Sequence, residues 1–389
     1  VFHLFNALPK PRREIVELIL WDYSDDPERI ELIDANGKVL RHQFIEKKFI
    51  EYWQHHWMKL LTEVEVPALG YATIALRRRN DRPVPRAVRS DPRVEHRFCM
   101  ELENDLIHAE FDPVTGAMRT LTDKHTGEIR ASEAGFRIIS EDPGLGMTSW
   151  VVGRYMDSAP VAGKARIRLI ADGPLYKAYR VETDLGERSH LSYTVSLRAG
   201  SATLDYDVNC DWQETGCEAV RIPQLAFSAE LPTAPGAFTY DIPGGLIERP
   251  GEALDQPSQG MISANGVLLL CDSRYGFRGD GRTVQATLIR SSFDPDPYPE
   301  QGPHAFKLAL GTTESTGQAL LDEAAAWNRP IEAISGSIHS GSAPLNSSFL
   351  SAEGATVTGI KLAEDDDALI VRLSAVAPCE AILTLSRAA

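Results

Sequence analysis

The sequence predicts a mainly β protein, a large antiparallel β-sandwich flanked by smaller β-sandwich domains and accompanied by one short helix. Three observations carry this. Short alternating runs recur from one end of the chain to the other. Turn clusters built on Asp, Asn, Pro and Gly separate them, and no crossover helices intervene, which excludes a parallel α/β sheet.

The runs Ile15 to Trp21, Ile30 to Ile33 and Thr73 to Leu76 have the length and β-branched content of strands. Between the last two, Asn36-Gly37 reads as a tight hairpin turn in which the pair supplies the positive φ that the reversal needs. Pro67-Ala68-Leu69-Gly70 leads into a further strand, so 1–80 reads as a small β-sandwich. In the Arg, Asp and Pro-rich stretch that follows, prolines hold the chain extended and little can be buried; 81–94 reads as a linker. Across 95–330 the alternation is densest, in Leu106–Phe111, Ala165–Ile170, Tyr176–Glu182, Ser192–Leu197, Thr203–Val208, Gly266–Leu270 and Ala305–Leu310. Asp112 to Gly116 and Asp123 to Gly127 are turns between strands. Ser315 to Trp327 is the one helical pattern, with Leu320, Leu321 and Ala324 on one face and Asn328-Arg329-Pro330 as its stop. The segment 331–389 begins with a Ser/Gly-rich loop over 335–348 and returns to strands at Leu369–Leu373 and Ala381–Leu385.

The 389 residues suggest two or three domains. A formal net charge of −15 argues against a nucleic-acid or anionic-membrane partner, because phosphate affinity comes from clustered Lys and Arg. No apolar run reaches the length of a transmembrane helix. The chain starts at Val1 with no basic flank or apolar core of a leader, and it opens directly in a strand, so the expected polypeptide continues upstream. Five cysteines without a CxxC pair read as thiols in a reducing compartment, hence a cytoplasmic protein.

Sites with specific chemistry are few. His55-His56-Trp57 are adjacent and point to opposite faces of a strand. His108 and Glu110 share a face, but such a pair is the ordinary composition of a sheet surface, and no metal site is expected. Nucleophile elbows and phosphate-binding glycine loops are absent. Asp294 and Asp296 in the Asp-Pro-Asp-Pro loop could be the two carboxylates that glycoside hydrolysis needs, but acids on one loop rarely flank a substrate, and turn capping is the plainer reading. Trp150, Trp212 and Tyr275 each stand near polar groups and could stack on a sugar ring; a half-buried core role competes in each case.

Taken in order, these segments resemble the C-terminal half of the family 38 α-mannosidases. The resemblance runs through Phe5 to Pro9, Val66 to Tyr71, Leu102-Glu103-Asn104, Asp112 to Gly116, Leu121 to Lys124 with Thr126-Gly127, Asp211 to Glu214, Ile242 to Pro250, Cys271 to Gly276, and Leu288 to Ser291 followed by Asp294 to Pro297 and Gly302 to His304. It departs around Gln259-Gly260, where the family often has a Trp. The resemblance implies a large sandwich of galactose-mutarotase type. It also implies that the zinc ligands and the aspartate nucleophile belong to an N-terminal catalytic domain of the same polypeptide, since no His-x-Asp pair occurs here. On this reading the chain has no cofactor and no catalytic residue of its own and is inactive alone. By position, Arg290 and Tyr275 would touch the α-mannoside or oligosaccharide, with Trp150, Arg249 and His304 behind them. The alternative for Arg290 is an ion pair with Asp294 or Asp296 inside the sandwich. Two other roles stay open, a stand-alone carbohydrate-binding module and an assembly domain, the latter allowing a homo-oligomer.

Overall fold

The computed structural model describes residues 1–52, 55–81, 100–298 and 300–385, with the side chains of 46–52 left aside. The predicted linker 81–94 therefore lies, except for Asp81, outside the described residues. The chain divides into two compact units, Val1–Glu95 with Gly173–Tyr176 and Ala325–Ala389, and His96–Asp172 with Lys177–Ala324.

In the second unit two nine-stranded antiparallel sheets form the large sandwich. One runs Gln256–Pro257, Gly276–Asp280, Thr283–Arg290, Ile222–Glu230, Ile129–Glu141, Met118–Asp123, Ile107–Phe111 and Glu101–Glu103, with Tyr155–Pro160 pairing beside Ile129–Glu141. The other runs Arg166–Asp172, Tyr176–Leu185, Ser189–Arg198, Thr203–Trp212, Gly302–Thr312, Val267–Cys271, Met261–Ala264, Phe238–Ile242 and Gly245–Arg249. Strand Thr203–Trp212 shows why the chain folds this way. Its even-numbered residues Leu204, Tyr206, Val208, Cys210 and Trp212 are buried while its partners on the other face are not, the period-two pattern of a sheet with one wet face. Phe136, Tyr193, Tyr206 and Phe227 interlock in the core, with ring centroids 5.0 to 5.9 Å apart. Each such buried ring contributes about 1.5–3 kcal/mol by leaving water.

In the first unit, Phe2–Asn6, Gly70–Arg78, Ile30–Ile33 and Val39–Leu40 form a sheet that also takes in Glu332–Ser335 and Asn346–Ser348 from the far end of the sequence. A three-stranded sheet of Arg12–Trp21, His55–Val66 and His42–Tyr52 shares its core, in which Leu4, Leu18, Leu32 and Leu60 are fully buried. The predicted hairpin at Asn36-Gly37 is a wider turn than expected. Asp34 N–H donates to the Lys38 carbonyl, and only Gly37 takes a positive φ, +80°. The predicted helix is present at Gly317–Asn328, with Leu320 and Ala324 buried and Leu321 half-buried.

The turn at Asp112 carries a pH prediction. Its carboxylate accepts from Arg119 and from the N–H groups of Thr115 and Val114, which together lower its pKa to about 2. The unfolded chain titrates near 4, so this contribution is complete above about pH 4 and is lost as pH falls toward 2. Asp112→Asn keeps the turn acceptor but removes the charge. Urea midpoints measured against pH should fall less steeply over that window for the variant than for the parent.

Cys210, Cys217, Cys271 and Cys379 are free thiols. Burial pushes Cys210 up to about 12 and Cys271 higher still, and both are enclosed, whereas Cys217 and Cys379 are exposed. Since the thiolate is the reactive form, iodoacetamide on the native protein should label Cys217 and Cys379 and spare Cys210 and Cys271 until the chain is unfolded.

Candidate functional site

Three neighbouring strands of the first large sheet end at the same place and bring three polar side chains together. Gln224 lies opposite Arg290 in the ladder, and Glu141 closes the next strand over. Glu141 has no exposed side-chain surface, and it accepts a two-pronged ion pair from Arg290, Nε to Oε2 at 2.7 Å and Nη2 to Oε1 at 2.6 Å. The Gly153 N–H, at 2.6 Å, and the Gln224 amide complete its shell. A carboxylate this deep is tolerated only when paired and hydrogen-bonded on both oxygens.

Arg290 also donates to the carbonyls of Thr148 and Val151, one on each side of Trp150. Four of its five N–H groups are therefore engaged within the protein. The same loop is fastened to the chain that follows Arg290. Thr148 Oγ1 accepts the N–H groups of Phe293 and Asp294, both at 2.9 Å; Met147 N–H donates to the Asp294 carboxylate, and Ser149 N–H to the Asp294 carbonyl. The loop so held presents apolar side chains outward, with Trp150 69% exposed, Leu145 71% and Met147 54%. These hydrogen bonds fasten the backbone on both sides of the exposed indole.

A second grouping holds Arg249 and Tyr275. Arg249 lies over the Tyr240 ring at 4.9 Å and donates to the Pro257 carbonyl, while Ser258 N–H donates to the Tyr275 carbonyl. Tyr275 itself is 62% exposed. The turn between them is fixed by buried Asp241, which accepts from Ser258 Oγ, Gly260 N–H and Met261 N–H. His304 stands elsewhere on Gly302–Thr312, its Nε2 at 2.7 Å from the Glu300 carbonyl oxygen.

Of the two readings open for Trp212 the core role holds, and the pairing expected for Arg290 is corrected. Trp212 is fully buried, with its indole N–H on Ser291 Oγ at 2.7 Å, so it cannot stack on a ligand. The carboxylate that pairs with Arg290 is Glu141 rather than Asp294 or Asp296. Asp294 acts as a fastener for the Trp150 loop, and Asp296 lies at the surface, accepting from Tyr298 N–H. Sequence reasoning missed Glu141 and Gln224 entirely. It also missed a polar group around Asp255, which binds Arg278 Nε, Tyr155 Oη and Thr287 Oγ1, with Arg278 stacked on the Tyr155 ring at 3.4 Å. Burial first, then the Asp255 charge, raises the Tyr155 pKa far above the ordinary phenol, so it serves as a neutral donor. Among the described residues no group of three or more His, Cys, Asp or Glu side chains could hold a metal. No helix among the described residues is long and apolar enough to cross a membrane.

Residues 102–298 match the family model described as the glycosyl hydrolases family 38 C-terminal domain. This chain belongs to that family. The matched segment contains Trp150, Arg249, Tyr275 and Arg290 together with Glu141 and Gln224. Human α-mannosidase 2C1 is 24% identical over 309 residues, 70% of this chain and 28% of its own length, and the mouse protein of the same name is 24% identical over 277 residues. The family 38 chain thus spans about a quarter of the length of these relatives. Two solved structures from Enterococcus faecalis share the fold. A protein of glycosyl hydrolase family 38 superposes with a TM-score of 0.69 at 18% identity, covering 98% of this chain and 53% of that one. An α-mannosidase superposes at 0.71 and 17%, covering 98% and 51%.

Proposed function

We propose that this family 38 domain is the C-terminal β portion of a retaining α-mannosidase acting on terminal α-mannosides, and that its stapled Trp150 loop borders the sugar site. The observation that carries the reading is the combination of the family match with a rigid, outward-facing indole whose loop is clamped by Arg290. An indole face accepts the C–H face of a pyranose ring. The fifth N–H of Arg290, which has no partner among the described residues, and the exposed Tyr275 hydroxyl are donors suited to sugar hydroxyls. Glu141 and Gln224 act through Arg290 as positioning residues. No side chain described here is assigned as nucleophile or general acid; those roles, and zinc, fall to a catalytic domain of the same polypeptide. The free thiols fit a reducing, cytoplasmic setting.

The chain alone, supplied with zinc and an aryl α-mannoside, should release no aryl alcohol above the buffer rate. Sustained turnover that scales with protein concentration would overturn the proposal.

A further inference from the structure

The first unit carries an aromatic surface that the reading above does not use. In Arg12–Trp21 the residues from Val16 alternate between core and solvent, and the outward row ends on Ile19 and Trp21, 38% and 50% exposed. The register sets Trp21 directly opposite Trp57 on His55–Val66, and Ile19 opposite Lys59. The two indoles lie side by side with centroids 6.4 Å apart and planes inclined at 51°. Polar groups stand at both ends of this pair. Beyond Trp21, the Asp22 carboxylate meets His55 Nδ1 at 2.7 Å and accepts the His56 N–H at 2.9 Å. On the other side, Lys59 bonds Glu17 at 2.8 Å and lies 5.3 Å from the centre of the Trp57 ring.

The backbone is held in an uncommon conformation at the same point. Asp22 takes φ +49°, and its own N–H donates to the His56 carbonyl at 2.7 Å. A non-glycine residue in the left-handed region costs about 1 kcal/mol or more. Three hydrogen bonds to the facing strand, two accepted by the Asp22 carboxylate oxygens and one donated by its backbone N–H, maintain it and fix the end of the strand that presents Trp21.

Size and charge select the occupant. Among the described residues the apolar face is made of two indoles and Ile19, bounded by the two polar pairs. That is far short of the roughly 800 Å² per partner of a stable protein interface. Among the described residues the rim sets two carboxylates, Asp22 and Glu17, against one Lys and one His, so there is no basic excess to attract a phosphate or a nucleic acid. A neutral, flat-sided ligand dense in hydroxyls fits both constraints. Its axial C–H groups meet the negative ring faces, and its hydroxyls find both donors and acceptors at the rim.

We propose that the Trp21–Trp57 pair is a carbohydrate-binding platform for one or two neutral pyranose rings of an oligosaccharide, with Asp22, His55, Glu17 and Lys59 as hydroxyl partners. The proposal stands on the geometry of the first unit and does not depend on the Trp150 reading. The test is a titration of the 15N-labelled chain with α-linked mannobiose, read at the assigned indole N–H resonances. Those of Trp21 and Trp57 should move together and saturate. Trp21→Ala should weaken the Trp57 response by roughly tenfold or more, and Trp21→Phe, which keeps an aromatic face, should retain most of it. Trp21 is half exposed, so both variants should fold, and an unchanged amide spectrum away from the pair checks this. Indole resonances that do not move with sugar overturn the proposal. So does a dimer in sedimentation that Trp21→Ala converts to monomer, since a second copy would then be the occupant.

Discussion

Glu141→Ala should lower the stability of the large sandwich by about 3–5 kcal/mol, the cost of leaving a buried guanidinium without its counter-charge. Glu141 has no exposed side-chain surface and Arg290 only 15%, so water cannot easily replace the lost partner. The same change also removes the acceptor for Gly153 N–H and for the Gln224 amide. Guanidinium unfolding followed by fluorescence should show the midpoint displaced, because Trp212 is bonded to Ser291, the neighbour of Arg290. Glu141→Gln should fall between, keeping hydrogen-bond acceptance but not the charge. The double change Glu141→Leu with Arg290→Met should recover most of the loss, as apolar replacement of a whole buried pair commonly does. A single Glu141→Ala variant as stable as the parent would mean that the pair is not desolvated as described.

Trp150→Ala should have the largest effect on activity with the least on folding. The indole is 69% exposed, so its removal should change stability by no more than about 0.5 kcal/mol. In the native polypeptide that carries this sequence, hydrolysis of an aryl α-mannoside should lose roughly 10- to 100-fold in kcat/KM, most of it as a raised KM, the signature of lost ground-state binding. Trp150→Phe should restore part of the loss. Gln224→Ala tests the positioning argument separately. It touches Glu141 but not the loop, and should raise KM less than Trp150→Ala while costing more stability.

How much of this was legible in the sequence depends on whether a feature is local. The strands were, because alternation is written within a few residues, and so was the Asp112 to Gly116 turn, where the carboxylate bonds to N–H groups two and three positions on. The alternation also decides for the core role of Trp212. It shares its parity with Leu204, Tyr206, Val208 and Cys210, so it had to point inward, and the polar residues next to it carried no weight against that. The Glu141 shell was not legible. An acid at the last position of an alternating strand looks like a solvent-facing residue, and its partner Arg290 is 149 positions away. Nothing local distinguishes that pairing from one with Asp294, which is nearer in sequence and equally acidic. Likewise, Glu332–Ser335 completes a sheet begun by Phe2–Asn6, a pairing set by the packing of the whole unit and not by either segment. Resemblance points to Arg290 and Trp150 separately, and Trp150 also stands out as an aromatic among polar groups. Their joining through two backbone carbonyls is visible only once the loop is folded.

The most direct measurement is a crystal structure of the native polypeptide with a non-hydrolysable α-mannoside bound. The Trp150 ring should lie against the sugar, with Arg290 still clasping Glu141 and the carbonyls of Thr148 and Val151. A mannoside seated with no residue of this chain within contact distance would contradict it.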